Sequence, residues 1–270
     1  METLDVSWRL IIAGTLLGLV LGATVQRTHF CTMGALSDFW LFGSRRRLKS
    51  WALAVAVAIL GTQVLASFGV LDFAGTSWRS PALPWLPLVV GGLMFGFGMV
   101  LAGGCVSRNL VRLGAGSLKA LVVVLVTAAS ALATLVGILA PLHGLLLGIG
   151  TLDLGSVGLA GQGTGDILAA VAPLASDTAA SAAAGVAGAA LLVWCLADRS
   201  FRASRRDIVA GLVLGALVPL GWLATGWLAH DPFEPPPLAS LTFVGPTART
   251  FQVVALGSTS APFGPALVAG

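Results

Sequence analysis

The 270-residue chain is 57% hydrophobic and only 10% charged, with a formal net charge of +4. Because the few polar side chains cannot cover the surface of a soluble domain, we predict an all-α integral membrane protein. Most basic residues fall in three loops, a distribution that orients a membrane protein in its bilayer, and nucleic acid is therefore not an expected partner. The three cysteines cannot all pair, and free thiols are expected.

Six apolar stretches are long enough to cross a membrane, since a spanning helix needs roughly 20 apolar residues. They cover residues 8–25, 48–68, 86–102, 118–140, 179–196 and 208–228. Only short polar loops separate them, and no water-soluble domain is apparent. We therefore predict a single transmembrane domain over residues 1–270, built as a polytopic helical bundle.

Two places interrupt this pattern. Residues 28–42 are too short to span, yet they include Phe30, Met33 and Trp40, so we place them as a short re-entrant or interfacial helix. Residues 101–116 read LAGGCVSRNLVRLGAG, where glycines let the backbone bend sharply between two apolar runs. In a chain this apolar, such a break marks a place where something other than lipid is contacted.

The basic residues predict the orientation of the chain, because cytoplasmic loops carry an excess of Lys and Arg. Three basic loops follow the re-entrant segment, the Gly-Gly-Cys turn and the fifth span. Their basic residues are Arg45, Arg46, Arg47 and Lys49, then Arg108, Arg112 and Lys119, then Arg199, Arg202, Arg205 and Arg206. We place all three loops in the cytoplasm and, with six spans, the N-terminus outside. Residues 142–177 then form an external loop, and either an interfacial helix or a seventh span within it is left open.

The end of the sequence resembles its beginning. Three prolines at 235–237 predict an extended connector. Residues 240–256, SLTFVGPTARTFQVVAL, are similar to residues 27–42, and the predicted topology puts the two segments on opposite faces. Inverted repeats of this kind place a transport site near the bilayer midplane. We predict a first repeat at about 1–140, then a connecting region and a partial second repeat at about 141–270.

Two cysteines are the main candidates for function. Cys31 and Cys105 each stand where a short helix begins, and a helix N-terminus offers unpaired N–H groups and partial positive charge. Two such ends that converge would bind an anion, and thiols add weak, polarisable hydrogen-bond donors, so we expect an anion with sulfur character. The alternative is that they are ordinary buried cysteines. We prefer that alternative for Cys195, which lies inside an unbroken helix.

Polar neighbours complete the candidate site. Ser107 and Asn109 either contact the ligand at the Gly-Gly-Cys turn or cap the helix. His29 and Cys31, with Cys105, would supply three ligands for a soft metal, but nothing supplies a fourth, so we expect neither a metal nor a cofactor. The candidate substrate-binding residues are His29, Cys31, Gly104, Cys105, Ser107 and Asn109.

Two long segments resemble the YeeE/YedE family of sulfur-compound transporters: RTHFCTMGALSDFWLFGSRRRLKSW and GFGMVLAGGCVSRNLVRLGAGSLKALVV. The resemblance implies a bacterial inner-membrane transporter whose re-entrant helices point cysteines at a central constriction. It implies that thiosulfate, or a related sulfur anion, is taken up through brief S–H hydrogen bonds to Cys31 and Cys105. A small TusA-like cytoplasmic sulfur-carrier protein is the partner that it implies.

The second half departs from the family pattern. Family members usually continue into further helices with another Gly-Gly-Cys turn, whereas this sequence ends at STSAPFGPALVAG. Val244 and Gly245 stand where another cysteine would be expected. We therefore expect either a truncated product or a pore completed in another way, for example by a second copy of the chain.

Two other functions remain open alternatives to a non-enzymatic transporter. A membrane thiol oxidoreductase or sulfurtransferase would keep a persulfide on Cys105 and would need a solvent-accessible thiol of lowered pKa. A non-transporting membrane subunit would only dock a sulfur-carrier protein through the basic loops. Rapid alkylation at neutral pH would favour the first, and carrier binding without uptake would favour the second.

Overall fold

The computed structural model describes residues 2–69, 80–157, 162, 176–228 and 238–256. The first half contains α1 Glu2–Thr28, α2 Thr32–Phe42, α3 Arg46–Ser67, α4 Trp85–Leu101, α5 Val106–Gly114 and α6 Leu118–Leu135. The second half contains α7 Ala140–Gly150, α8 Ser176–Leu196, α9 Arg199–Arg202, α10 Arg205–Leu223 and α11 Val244–Leu256. A π-helical turn, Ala224–Leu228, extends α10, and two-residue strands β1 Ala82–Leu83 and β2 Leu152–Asp153 pair antiparallel. The predicted all-helical fold class is confirmed.

Five helical segments among the described residues are long and apolar enough to cross a membrane. They are Trp8–Phe42, Arg46–Ser67, Trp85–Gly114, Leu118–Leu135 and Arg205–Leu228. They overlap the predicted spans at 8–25, 48–68, 86–102, 118–140 and 208–228, and the remaining span, 179–196, falls in α8, where Ser181–Leu196 forms a shorter apolar helix. The chain is therefore a multi-pass membrane protein.

The break between α6 and α7 corrects one predicted boundary. The fourth span was expected to reach residue 140, but α6 ends at Leu135 and α7 begins at Ala140 with a proline in its first turn. Pro141 lacks an N–H and therefore favours the start of a helix over its interior. The α7 helix lies at the start of the stretch in which an interfacial helix or a seventh span was left open, and its external placement stays a prediction. The proline connector, most of residues 158–175 and the terminal STSAPFGPALVAG lie outside the described residues.

The most extensive helix packing among the described residues joins α3 to α10, which run parallel. A Cβ added at Gly211 would stand 2.8 Å from the Ser50 carbonyl oxygen, and one at Gly215 would stand 2.6 Å from the Ala54 carbonyl oxygen. Glycines four residues apart allow two helix backbones this close approach in a membrane. The α8 helix packs against α3 in the opposite direction, and α1 packs antiparallel to α10.

A hydrophobic cluster between α1 and α10 is contacted by both of the similar segments. Leu21, Leu214 and Leu217 form its buried part. Packed against it are Phe30, which precedes Cys31, and Phe243, which directly precedes α11. The two segments that resemble each other in sequence therefore both contact this cluster near their start, while the division into two repeats near residue 140 stays a prediction.

Ion pairs connect two of the basic loops. Arg46 Nε donates to Asp207 Oδ2 at 2.7 Å, and Lys49 Nζ donates to Asp198 Oδ2 at 2.7 Å. The hydrogen bond from Lys49, aided by the backbone N–H of Ser200, lowers the pKa of Asp198. These contacts join the start of α3 to the α8–α10 loop, so the first and third basic loops lie on the same side, as their charge predicts.

Candidate functional site

Cys31 lies in a sharp turn between α1 and α2. It is the N-cap residue of α2, with extended backbone (φ −161°, ψ 130°), and no side chain caps this helix end. Two residues earlier, His29 adopts a left-handed conformation with φ 53°. Histidine tolerates this region better than most non-glycine residues. The turn buries Cys31, of which 7% is exposed.

Cys105 lies in a second turn, which shares two backbone features with the first. It is the N-cap residue of α5, again extended (φ −71°, ψ 172°) and again without a side-chain cap. Gly103, two residues earlier, is left-handed with φ 67°, and Gly104 has φ 148°. A left-handed residue therefore stands two positions before each cysteine, histidine in one turn and glycine in the other. Each cysteine stands at the start of a short helix, as the sequence predicted.

Asn109 holds the second turn from inside. Its side chain is 1% exposed, and Nδ2 donates to the carbonyl oxygens of Gly104 at 3.1 Å and Cys105 at 3.2 Å. The Asn109 side-chain NH₂ therefore donates to the backbone of the turn. Ser107, in contrast, has its Oγ 3.1 Å from the Cys105 Sγ, where hydroxyl and thiol share a hydrogen bond. Asn109 positions the turn, and Ser107 contacts the thiol itself.

Two arginines cover the glycines of this turn. A Cβ added at Gly104 would stand 2.9 Å from Arg108 Cδ, and one at Gly103 would stand 3.5 Å from Arg112 Nη1. The left-handed backbone also disfavours side chains at both positions. A side chain at Gly104 would push Arg108 away, whereas at Gly103 the left-handed backbone is the reason for glycine, and both arginines place positive charge next to the turn.

The first cysteine lines a small pocket beside α3 and α10. Its other walls include His29, Arg47, Ser50 and Asp207. The pocket volume is about 10 Å³, which is about the space that one water molecule needs. Ser50 and Asp207 belong to the first turns of α3 and α10, so Cys31 lies near the basic end of the bundle rather than halfway along it.

Arg47, which the sequence analysis placed only in a basic loop, also lines this pocket. Its Nη1 donates to Asp38 Oδ2 at 3.2 Å and its Nη2 to the His29 carbonyl oxygen at 3.4 Å. The sequence had suggested only topological reasons for a basic residue here. The one available signal was Asp38, nine residues earlier, which is an acidic residue within an otherwise apolar segment.

The structure therefore divides the six candidate residues into two groups. His29 and Cys31 line the pocket beside α3, whereas Gly104, Cys105, Ser107 and Asn109 form the start of α5. The α5 helix contacts α1, the helix that leads into the first turn. Within the described ranges, no group of three or more His, Cys, Asp or Glu side chains is arranged to hold a metal ion.

Cys195 has a structural environment. It is fully buried in a cluster with Ala52, Leu53 and Phe201, and its Sγ donates to the Lys49 carbonyl oxygen at 3.3 Å. This contact fastens α8 to the start of α3. The preference for an ordinary buried cysteine at this position agrees with its surroundings.

Comparison with known proteins identifies the family. The thiosulfate transporter TsuA of Escherichia coli is 35% identical over 107 residues, which cover 40% of this chain and 29% of that protein. TsuA of Spirochaeta thermophila is 31% identical over 107 residues, 40% of this chain and 31% of that protein. The probable transporter YedE of E. coli is 34% identical over 92 residues, 33% of this chain and 21% of that protein.

The matched stretches thus span under a third of each relative, and the relatives are named as transporters rather than as enzymes. A family model described as sulphur transport covers much more of the chain, residues 27–270. Its range includes both cysteine turns and α11. The chain therefore belongs to the sulphur-transport family, which confirms the resemblance to YeeE/YedE proteins.

Proposed function

We propose that the chain works in the bacterial inner membrane and takes up thiosulfate, or a related sulfur anion, past Cys31 and Cys105. The observation that carries this proposal is the pair of similar turns, in which each cysteine stands at the N-cap position of a short helix, two residues after a left-handed residue. The free N–H groups of both helix ends favour an anion, and neither first turn contains an acidic residue to compete.

The chemistry of thiosulfate suits these groups. Its oxygens accept hydrogen bonds from backbone N–H groups and guanidinium, while its terminal sulfur accepts a weak S–H hydrogen bond from a thiol. Weak contacts allow release as well as binding, which a transport path needs. Ser107 adds a hydroxyl beside Cys105, Asn109 and Gly104 fix that turn, and His29 shapes the first turn.

Two relatives named thiosulfate transporters support the choice of substrate. The proposed path ends at the basic loops, where a TusA-like sulfur-carrier protein is the proposed cytoplasmic partner. Exposed basic side chains on α9 and at the start of α10 would attract an acidic surface of such a carrier. Binding that weakens steeply with salt would support this partner, and salt-independent or absent binding would contradict it.

Uptake of ³⁵S-thiosulfate by a transporter-deficient bacterial host that expresses the chain tests the function. Cys31→Ala and Cys105→Ala are each expected to abolish uptake, because each removes the only thiol of its turn. Cys195→Ala is the matched control, and it keeps uptake because that thiol bonds only to the helix backbone. Full uptake by both turn variants at equal membrane expression would contradict the mechanism.

A further inference from the structure

Arg47 and Cys31 border the same space. Arg47 Nη1 lies 3.1 Å, and Cys31 Cβ 3.7 Å, from the position that a Cβ on Gly34 would take. Both residues also line the pocket beside α3. Because Gly34 has no side chain to separate them, an anion that reaches the Cys31 thiol is also within reach of the Arg47 guanidinium.

The contacts of Arg47 are loose compared with those of its neighbour. Its bonds to Asp38 and to the His29 carbonyl are 3.2 Å and 3.4 Å long, whereas Arg46 bonds to Asp207 at 2.7 Å. Typical N–H···O bonds are about 2.9 Å long, so both Arg47 bonds are weak ones. The Arg47 and Asp38 side chains are also partly exposed, at 36% and 28%. Arg47 can therefore exchange its partner at low cost.

The charges around the pocket favour this exchange. Asp207 also lines the pocket, but its carboxylate already accepts hydrogen bonds from Arg46 and from the Ser204 hydroxyl. The charge that is free to meet a ligand is thus the positive one of Arg47. A guanidinium offers a planar fork of donors that fits two oxygens of one anion, and Asp38 presents a carboxylate of similar geometry.

We propose that Arg47 binds the oxyanion on the inner side of Cys31, and that the Asp38 carboxylate holds this guanidinium until the anion displaces it. The identity of the anion, a sulfur oxyanion, rests on the proposed function. The pocket has room for about one water molecule in the Asp38-paired form. Release of Asp38 and of the His29 carbonyl therefore both frees the binding groups and widens the passage.

The charge preference at Cys31 tests this proposal without any need for transport. Membranes that contain the full chain are treated with an anionic or a cationic methanethiosulfonate reagent of similar size. The labelling rate of each cysteine is then followed by mass spectrometry. The measured quantity is the ratio of anionic to cationic labelling rates at Cys31, with the same ratio at Cys105 as an internal reference.

Arg47→Gln is expected to lower this ratio about tenfold, as removal of a unit charge several ångströms away predicts at intermediate dielectric constant. Arg47→Lys keeps the charge and retains most of the ratio, which separates a charge effect from a folding defect. Asp38→Asn raises the ratio severalfold because Arg47 loses its competing anion. Arg45→Gln is the matched control: Arg45 is exposed against the Phe39 ring, 5.9 Å from its centroid, and the ratio stays within about twofold.

An unchanged ratio in Arg47→Gln, or an equal fall in Arg45→Gln, would overturn the proposal. So would an unchanged ratio in Asp38→Asn. These results are distinct from a failure of the proposed function. If wild-type chain takes up no thiosulfate but the ratios change as expected, only the substrate is wrong; if uptake occurs and the ratios stay constant, only the role of Arg47 is wrong.

Discussion

Asn109 is expected to determine whether the Gly-Gly-Cys turn keeps its shape. Asn109→Asp preserves the size of the side chain but replaces the donating NH₂ with an oxygen that faces two carbonyl oxygens. Asn109→Leu removes both hydrogen bonds without adding a charge. Because the side chain is 1% exposed, water cannot take over these contacts in either variant.

The size of the effect follows from the two bonds. The Cys105 carbonyl also accepts the backbone N–H of Asn109 at 3.1 Å, so loss of the side-chain bond there costs only about 0.5–1.5 kcal/mol. The Gly104 carbonyl depends on the Asn109 side chain, and leaving such a buried acceptor unpaired costs about 1–3 kcal/mol. Together they amount to about 1.5–4.5 kcal/mol, or about 3–18 °C in Tm for a chain of this size.

Thermal unfolding of the detergent-solubilised protein, followed by intrinsic tryptophan fluorescence, measures this change. Ser107→Ala is the control, because it removes a polar group from the same helix turn without touching the Gly104 carbonyl. Its Tm is expected to stay within about 2 °C of wild type, since only a weak contact to sulfur is lost. The reasoning would be refuted if both Asn109 variants melted at the wild-type temperature, or if Ser107→Ala lowered the Tm equally.

Three further predictions concern the scaffold. Gly215→Ala lowers the Tm because its Cβ would stand 2.6 Å from a backbone oxygen. Gly91→Ala on α4 is the control and keeps the Tm, because no atom lies within 4 Å of its Cβ. Equal Tm values for the two variants would contradict the α3–α10 contact. His29→Gly keeps the Tm within a few degrees of wild type, and His29→Val lowers it, because a β-branched residue disfavours φ 53°. A higher Tm for His29→Val than for His29→Gly would contradict this reasoning. Asp198→Asn lowers the Tm at pH 7, because the variant cannot form the ion pair with Lys49. The pKa of Asp198 is lowered in the folded protein, so the Tm difference persists above the ordinary pKa of about 4 and disappears as the pH falls through the lowered value. A Tm difference that does not depend on pH would contradict the pair with Lys49.

Hydropathy and length were sufficient for most of the helices. Five predicted spans match because a membrane requires long apolar helices whatever their neighbours are. The non-spanning segment at 28–42 was also predictable, since it is apolar but interrupted. The boundary at Leu135 was not, because Leu, Val and Ala continue past it and only Gly137 and Pro141 signal the break.

The two turns that hold Cys31 and Cys105 were predictable from the sequence, but the contacts around the cysteines were not. Cys31 and Cys105 were identified from the breaks in which they stand. The role of Arg47 depends on how α2 folds back along α3, which hydropathy does not determine. Asn109 was recognised as polar, but whether its amide faces a ligand or the backbone depends on a helix turn whose geometry only coordinates give.

The parallel contact between α3 and α10 has a consequence for how the protein is made. Arg46 and Asp207 are 161 residues apart, so ribosomes that add about 5–20 residues per second need roughly 10–30 s to deliver the second partner. During that interval α3 resides in the bilayer with the surface later covered by Gly211 and Gly215 still open to lipid or to other nascent helices. The packing of α1 and α3 against α10 therefore forms only after α10 has been synthesised, although α1 and α3 enter the bilayer first.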